Sequence, residues 1–543
     1  MQTTGSTSRD PVRALAGGLA IATAGALAAW VLAGAPPVVG FDDANIFLVY
    51  ARNLASGAGA VWTPGGERVE GFTSALWTVI AALAYAVAGA GRVEVVLLIV
   101  SLLLTAIPIA VVLALLPRRG AGAWLSLVWI LGLAGYFGWS GITLMDTALW
   151  AALLHLFLFA LIDQARRPDA PRWRVPTLAA LLVAARPEAM IVVPVLLAAA
   201  WLLAPGALRA WVGGGIAWAL ALAALTLFRL AYFGYPLPNT YYVKVPPDPV
   251  YRIGQGLDYL RAFALAHPTT ACAAVAVTAW AVVAARRPGQ VATRQLGAAW
   301  LASVLVAAGL LTTVLTGGDH FAAFRFLQPF LPAIALPLAA AADRLAFLRW
   351  DSGGRARAVR LALVALLVLW VADEWTTFKR AGLFPTAFAT ALQGRQVGAT
   401  LNAAFPEAGA APAVGVWQAG AVAYVYHGSA RDLLGLNWVA MGHSPGDRVG
   451  IRAHAAFDAD VFWAAPPELM LPTPLPLVQQ IGCPVVIWED ILHGLVQSER
   501  FHDAYTPVLI GAAPDGAVLA YGRADWLAAG PRAVRVLGWE VCG

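Results

Sequence analysis

The chain has 543 residues, 60% of them hydrophobic and only 12% charged, against about 25% charged in ordinary soluble domains. A mean hydropathy of +0.71 and recurring apolar runs of membrane length exclude a soluble globular class and point to a polytopic α-helical membrane protein. The net charge of +6 comes from Arg scattered over short loops, which excludes a nucleic-acid-binding face. The three Cys (Cys272, Cys483, Cys542) cannot build a disulfide framework.

The first apolar run, about Ala14 to Ala35, follows Arg9 and Arg13. It is too long for a signal-peptide core and lacks a convincing cleavage site, so it reads as a retained span with a cytoplasmic N-terminus. Further runs lie at 74–90, 94–116, 121–138, 146–163, 175–203, 210–232, 268–285, 295–316, 327–343 and 358–375, which makes about 11 spans. Cytoplasmic loops are expected at the basic stretches Arg166–Arg174, Arg209, Arg286-Arg287 with Arg294, and Arg344–Arg360. Single crossings throughout would leave Arg118-Arg119 and the Arg166–Arg174 loop outside. Splitting 175–203 at Arg186-Pro187-Glu188, and making one run between 74 and 138 re-entrant, removes that conflict. Either version places the tail outside. The expected domains are therefore a membrane domain, 1–379, and a soluble extracytoplasmic α/β domain, 380–543. The second is expected from alternating segments at Val414–Trp417, Pro484–Trp488, Val518–Tyr521 and Val534–Trp539. Cys483 and Cys542 share it and can pair if it is extracytoplasmic.

Five polar clusters recur on the face assigned as outer. Asp42-Asp43 opens the first loop, which also holds Trp62 and the stretch Glu67–Ser74 with Glu70. One carboxylate there would cap a helix, but capping does not need two. Asp146 begins the run to 163, where a first-turn acid also suits the helix dipole. Arg186-Pro187-Glu188 is either an internal ion pair or an Arg held for a phosphate. Asn239, Tyr241, Tyr242 and Lys244 follow a stiff Pro-Leu-Pro, and the structural alternative is an interfacial aromatic belt with a snorkelling Lys. Asp319, His320 and Arg325 follow Gly317-Gly318, either as a turn with one ion pair or as a site wall. No His or Cys spacing suggests a metal site, and no phosphate loop or nucleophile elbow is present. Carboxylates, cations and aromatics at one membrane face suit group transfer from a lipid-linked phosphate donor. Transporters and flippases of lipid-linked glycans also keep acids and bases in membranes, although no internal repeat is visible. A non-catalytic cell-wall assembly protein is the remaining alternative.

The Asp42-Asp43 pair resembles the signature of membrane-embedded GT-C glycosyltransferases. Glu67–Ser74 with Leu76-Trp77, Arg186-Pro187-Glu188, Leu237–Tyr242 with Lys244, Gly317-Gly318-Asp319 with Arg325-Phe326, and Ala423-Tyr424 with Arg431–Leu436 are similar to one bacterial branch. That branch includes the terminal arabinofuranosyltransferases of mycobacterial cell-wall arabinan. This chain departs from it at Leu144-Met145-Asp146-Thr147, where the branch typically shows Gly-Leu/Met-Glu-Thr. The resemblance implies an inverting transfer, without a metal or other cofactor, from a polyprenyl-phosphate sugar to a cell-envelope glycan acceptor. It implies arabinofuranose as the best candidate sugar, Asp42 as general base and Asp43 as its neighbour. Arg186, Lys244, Arg325 and His320 become donor-phosphate candidates. Trp62, Glu70, Asp146, Glu188, Asn239, Tyr241, Tyr242 and Asp319 become sugar or acceptor candidates. All are expected to converge on one wet cavity at the extracytoplasmic side of the plasma membrane.

Overall fold

The computed structural model describes residues 10–116, 120–167, 169–286, 294–344, 354–380, 384–445, 456–473, 483–486, 489–511 and 516–542. Arg9, Arg118-Arg119, Arg287, residues 345–353 of the Arg-rich loop, and Ile487-Trp488 lie outside the described residues. The helices begin with α1 (Pro11–Leu32), α2 (Asp42–Ala55), α3 (Ala75–Ala88), α4 (Val93–Leu115), α5 (Ala121–Gly132), α6 (Ala134–Ile142), α7 (Thr147–Arg166), α8 (Arg174–Ala185) and α9 (Ala189–Leu203). They continue with α10 (Leu208–Tyr232), α11 (Asn239–Lys244), α12 (Pro249–Ala266), α13 (Pro268–Ala285), α14 (Arg294–Thr316), α15 (Ala335–Ala342), α16 (Gly354–Arg380), α17 (Phe384–Ala404) and α18 (Ala419–Val425).

Each apolar run of the sequence is helical at least in part. Among the described residues, six helices are long and apolar enough to cross a membrane: α1, α4, α7, α13, Gln295–Thr316 and Pro205–Tyr232. The pair α5–α6, bent by 45°, counts as a seventh, and α3, α8, α9 and Leu331–Ala342 are shorter apolar helices. The chain is thus a multi-pass membrane protein. The 175–203 run breaks where Arg186-Pro187-Glu188 falls, between α8 and α9, because Pro187 and two charges cannot continue an apolar helix.

Two compact units interleave along the sequence. The first comprises Met1–Ala35, Leu98–Leu225 and Val250–Phe384. Its helices pack through small residues: a Cβ on Gly25 of α1 would collide with the carbonyl oxygen of Ala134 in α6. Its buried acid Glu374, on α16, is 2.7 Å from His267 Nδ1 and accepts from Thr270 Oγ1 at 2.5 Å, so a charge at depth is partnered.

The second unit comprises Pro36–Leu97, Thr226–Pro249 and Pro385–Gly543. It carries α2, α3, α11, α18 and a six-stranded mixed sheet in the order β2-β1-β3-β5-β4-β6. The strands are β1 (Val414–Val416), β2 (Ala430–Asp432), β3 (Leu469–Met470), β4 (Tyr505–Ile510), β5 (Val518–Arg523) and β6 (Val534–Val536). β1 pairs in parallel with β2 and β3, and the other pairings are antiparallel. Three of the expected alternating segments fall on β1, β5 and β6. Of the fourth, Val486 makes an isolated bridge to Thr473. A core of Trp417, Met441, Phe462, Met470, Phe501, Tyr505 and Tyr521 lies against the sheet, and a disulfide joins Cys483 to Cys542.

Candidate active site

The head of α2 sets the geometry in the second unit. Phe41 is extended and precedes the helix, which puts both Asp42 and Asp43 in the first turn, where negative charge suits the helix dipole. The two carboxylates part ways there. Asp42 Oδ1 accepts from Ala421 N at 2.8 Å and its Oδ2 from Gly420 N at 3.0 Å, so its two oxygens hold the first turn of α18. A Cβ at Gly420 would collide with the backbone carbonyl of Asp42, so the α2–α18 approach requires glycine. Burial pushes the Asp42 carboxyl up from 3.8 to about 6 against the pull of those two N–H groups, and the neighbouring charges of Asp43 and Asp432 add to the rise. Asp43 instead faces a side chain: its Oδ2 is 3.4 Å from Lys244 Nζ, in the last turn of α11. Both are partly exposed, at 16% for Asp43 and 20% for Lys244.

Asn239 fixes where α11 begins. Its N–H donates to Glu70 O at 3.0 Å, and its Nδ2 donates to Gly435 O at 2.7 Å and Leu436 O at 3.0 Å. The Gly435–Asn437 turn is held in turn by Asp432, which accepts from Leu434 N, Asn437 N and Asn437 Nδ2. Burial raises the Asp432 carboxyl to about 6 as well. Tyr50 Oη links these parts, 3.1 Å from Asn437 Oδ1 and 2.8 Å from Val69 O, while accepting from Gly71 N at 3.0 Å. Glu70 receives both Nε (2.8 Å) and Nη2 (2.9 Å) of Arg229, a buried bidentate pair. Trp62 is buried, its Nε1 donating to Ala430 O at 3.0 Å. Tyr241 is exposed, and His443 stacks on Tyr235 with ring centroids 3.9 Å apart and lies 4.1 Å from the ring of Tyr242.

The first unit gathers the other expected residues. Arg186 donates to Asp146 Oδ2 at 2.9 Å and to both oxygens of Glu188 at 2.8–3.1 Å, so its whole fork is engaged. Asp319 accepts from Arg325 Nε at 2.7 Å and is 3.5 Å from His320 Nδ1. Among the described residues, Arg325 uses only its Nε in hydrogen bonding, and its guanidinium lies over Phe321 at 4.1 Å and Phe326 at 5.8 Å. Gly318 precedes this group at φ +80, and a Cβ there would come within 2.7 Å of Tyr259. Arg186, Glu188 and Arg325 line a tight cleft of ≈ 10 Å³ with Thr147, Trp150 and Thr312, room for about one water. Among the described residues, no group of three His, Cys, Asp or Glu is placed to hold a metal ion.

The structure thus brings Asp42, Asp43, Trp62, Glu70, Asn239, Tyr241, Tyr242 and Lys244 into one unit, and Asp146, Arg186, Glu188, Asp319, His320 and Arg325 into the other. Sequence reasoning met Asp432 only inside the Arg431–Leu436 motif, without a role, and passed over Arg229, Asn437 and His443. Arg229 had a readable signal, a lone charge near the end of an apolar run. Asn437 and His443 had none.

No protein-family model matches the sequence, and no curated protein does. Among solved structures, ArnT from Cupriavidus metallidurans is similar, both bound to undecaprenyl phosphate and in the apo state, each with a TM-score of 0.50. The fold is that of ArnT. The likeness covers 93% of this chain and 98% of ArnT in the bound structure, and 94% and 99% in the apo structure, at 13% identity. It therefore takes in both the helical part and the C-terminal sheet.

Proposed function

We propose that the chain is an inverting glycosyltransferase that moves a sugar from a polyprenyl-phosphate donor to a cell-envelope glycan at the extracytoplasmic face. The observation that carries this reading is the carboxylate–ammonium pair of Asp43 and Lys244 beside an Asp42 bound to main-chain N–H groups. Proton abstraction needs a carboxylate whose partner can be exchanged, and a Lys side chain can swing to a phosphate where backbone amides cannot. Asp43 takes the proton of the acceptor hydroxyl as that oxygen attacks the anomeric carbon. The bond from that carbon to the phosphate oxygen breaks, and polyprenyl phosphate leaves with the bonding electrons. Lys244 is the cation assigned to the phosphate, and it stabilises charge as it develops on the leaving group. Asp42 positions α2 on α18. Arg186, bound by Asp146 and Glu188, braces the broken helix α8–α9.

A polyprenyl donor is supported by the fold shared with ArnT, one of whose structures contains undecaprenyl phosphate. Arabinofuranose is the sugar that the motif resemblance favours. The Cys483–Cys542 disulfide supports an oxidising compartment for the sheet-bearing unit, and with Arg13 in the first turn of α1 it supports a cytoplasmic N-terminus.

The test is turnover by the purified chain in nanodiscs, given a panel of polyprenyl-phospho-sugars and an oligosaccharide acceptor. Release of polyprenyl phosphate with glycosylated acceptor is expected for one donor. Movement of intact lipid-linked sugar across the bilayer without release would instead identify a flippase. No turnover and no movement across the panel would favour an assembly role.

A further inference from the structure

The second unit holds a pocket that Trp62 lines but Asp42, Asp43 and Lys244 do not. It encloses ≈ 520 Å³, with walls from the end of α2, the Trp62–Pro64 stretch and the segment after α18, within the size range of small-molecule sites. Its polar lining includes Arg52, Asn53, Ser56, Thr63, Tyr426, His427 and Ser429, and among the described residues no carboxylate lines it. Arg52 is the notable group. It donates Nη1 to Tyr424 O at 2.7 Å and Nε to Asn53 Oδ1 at 3.3 Å, which fixes the guanidinium plane. Yet among the described residues it makes no ion pair, whereas Arg229, Arg395 and Arg523 of the same unit are each paired with a carboxylate. A partly buried Arg that is oriented by neutral acceptors and opens onto a cavity of hydroxyl and amide groups is built for an anion.

We propose that this pocket binds an anionic saccharide, taking a phosphate or carboxylate of the glycan on Arg52. The inference rests on the glycosyl-transfer reading, for which it names the acceptor class. The lining mixes Trp62, Pro64, Ala408, Ala423 and Ala430 with hydroxyl and amide groups, a mixture that suits the faces and hydroxyls of a sugar ring. The same two helices join it to the carboxylates. α2 carries Asp43 in its first turn and Arg52 in its last, about 14 Å apart along the axis. α18 begins on Asp42 and is followed directly by Tyr426 and His427 of the pocket wall.

The probe is a trisaccharide bearing one phosphate monoester, compared with its dephosphorylated twin by calorimetry on the full chain in neutral-lipid nanodiscs. The phosphorylated form is expected to bind at least about tenfold more tightly, with the preference weakening as salt rises. Arg52→Gln should erase the preference and Arg52→Lys should restore part of it. Because Arg52→Gln also removes a bond to Tyr424 O, Ser429→Trp serves as a second variant, filling the pocket without touching that bond, and should weaken both sugars. Equal affinity for the two trisaccharides, or an unchanged preference in Arg52→Gln, overturns the proposal. So does loss of binding in nanodiscs containing phosphatidylglycerol, which would make the occupant a lipid headgroup. Donor turnover is scored separately. Phosphate-selective binding without turnover refutes the transfer reading and leaves the pocket standing, while turnover without selectivity refutes only the pocket.

Discussion

The head of α2 and the Arg186–Arg325 cluster follow the same plan with opposite charge. In each, one side chain is held by partners that cannot leave: Asp42 by two backbone N–H groups, Arg186 by two carboxylates around its whole fork. A neighbour of like charge meets one opposite charge among the ion pairs of the described residues, Asp43 at Lys244 and Arg325 at Asp319. In the proposed mechanism that difference separates brace from reagent. Residue type does not distinguish Asp42 from Asp43, or Arg186 from Arg325, but the exchangeability of their partners does.

The comparison breaks most readily at Asp43. Asp43→Asn should cut polyprenyl-phosphate release by about 10²–10⁴-fold if it removes the general base, with the melting midpoint unchanged. Full turnover in that variant would return the role to Asp42. A buried pair outside the proposed chemistry provides the control. Glu70→Gln leaves Arg229 buried without its counter-charge and should cost about 3–5 kcal/mol of stability, seen as a lower melting midpoint and poor yield. A stable Glu70→Gln would show that the bidentate pair is dispensable.

Arg325→Gln tests the phosphate candidate of the first unit: if that guanidinium meets the developing anion, losing it lowers turnover by about 10²–10³-fold. Arg186→Gln should act chiefly on stability, by stranding Asp146 and Glu188. Similar turnover losses in the two Arg variants would dissolve the distinction between them. The smallest effect is a pH dependence. Burial raises Asp42 and Asp432 from 3.8 to about 6, so the folded state holds those protons more tightly than the unfolded chain. Their contribution to stability is complete below pH about 4 and is lost as pH rises through about 6. Asp42→Asn and Asp432→Asn should each flatten the fall in melting midpoint over that window. An unaltered slope would mean that these carboxyls are not desolvated.

Much of the scaffold was written locally. Eleven apolar runs marked the helices, Pro187 with its flanking charges marked the break between α8 and α9, and alternation marked β1, β5 and β6. β4 escaped notice because Pro507 interrupts its pattern, although the strand pairs along its full length with β5. Hydropathy and turn chemistry are properties of a few adjacent residues, so they can be read without a fold.

The assignment of charges could not be read that way. Asp42 meets Gly420 across 378 positions, Tyr50 meets Asn437 across 387, and Glu70 meets Arg229 across 159. The sequence by itself determined a helical membrane protein with a sheet-bearing tail and a limited set of charged residues set near apolar helices. Only the tertiary structure decided which of those charges are locked and which can exchange partners, and that Arg52 would open onto a pocket without an acid. The physical reason is that burying a charge is costly wherever it occurs, but the partner that offsets the cost is supplied by whichever distant segment packs beside it.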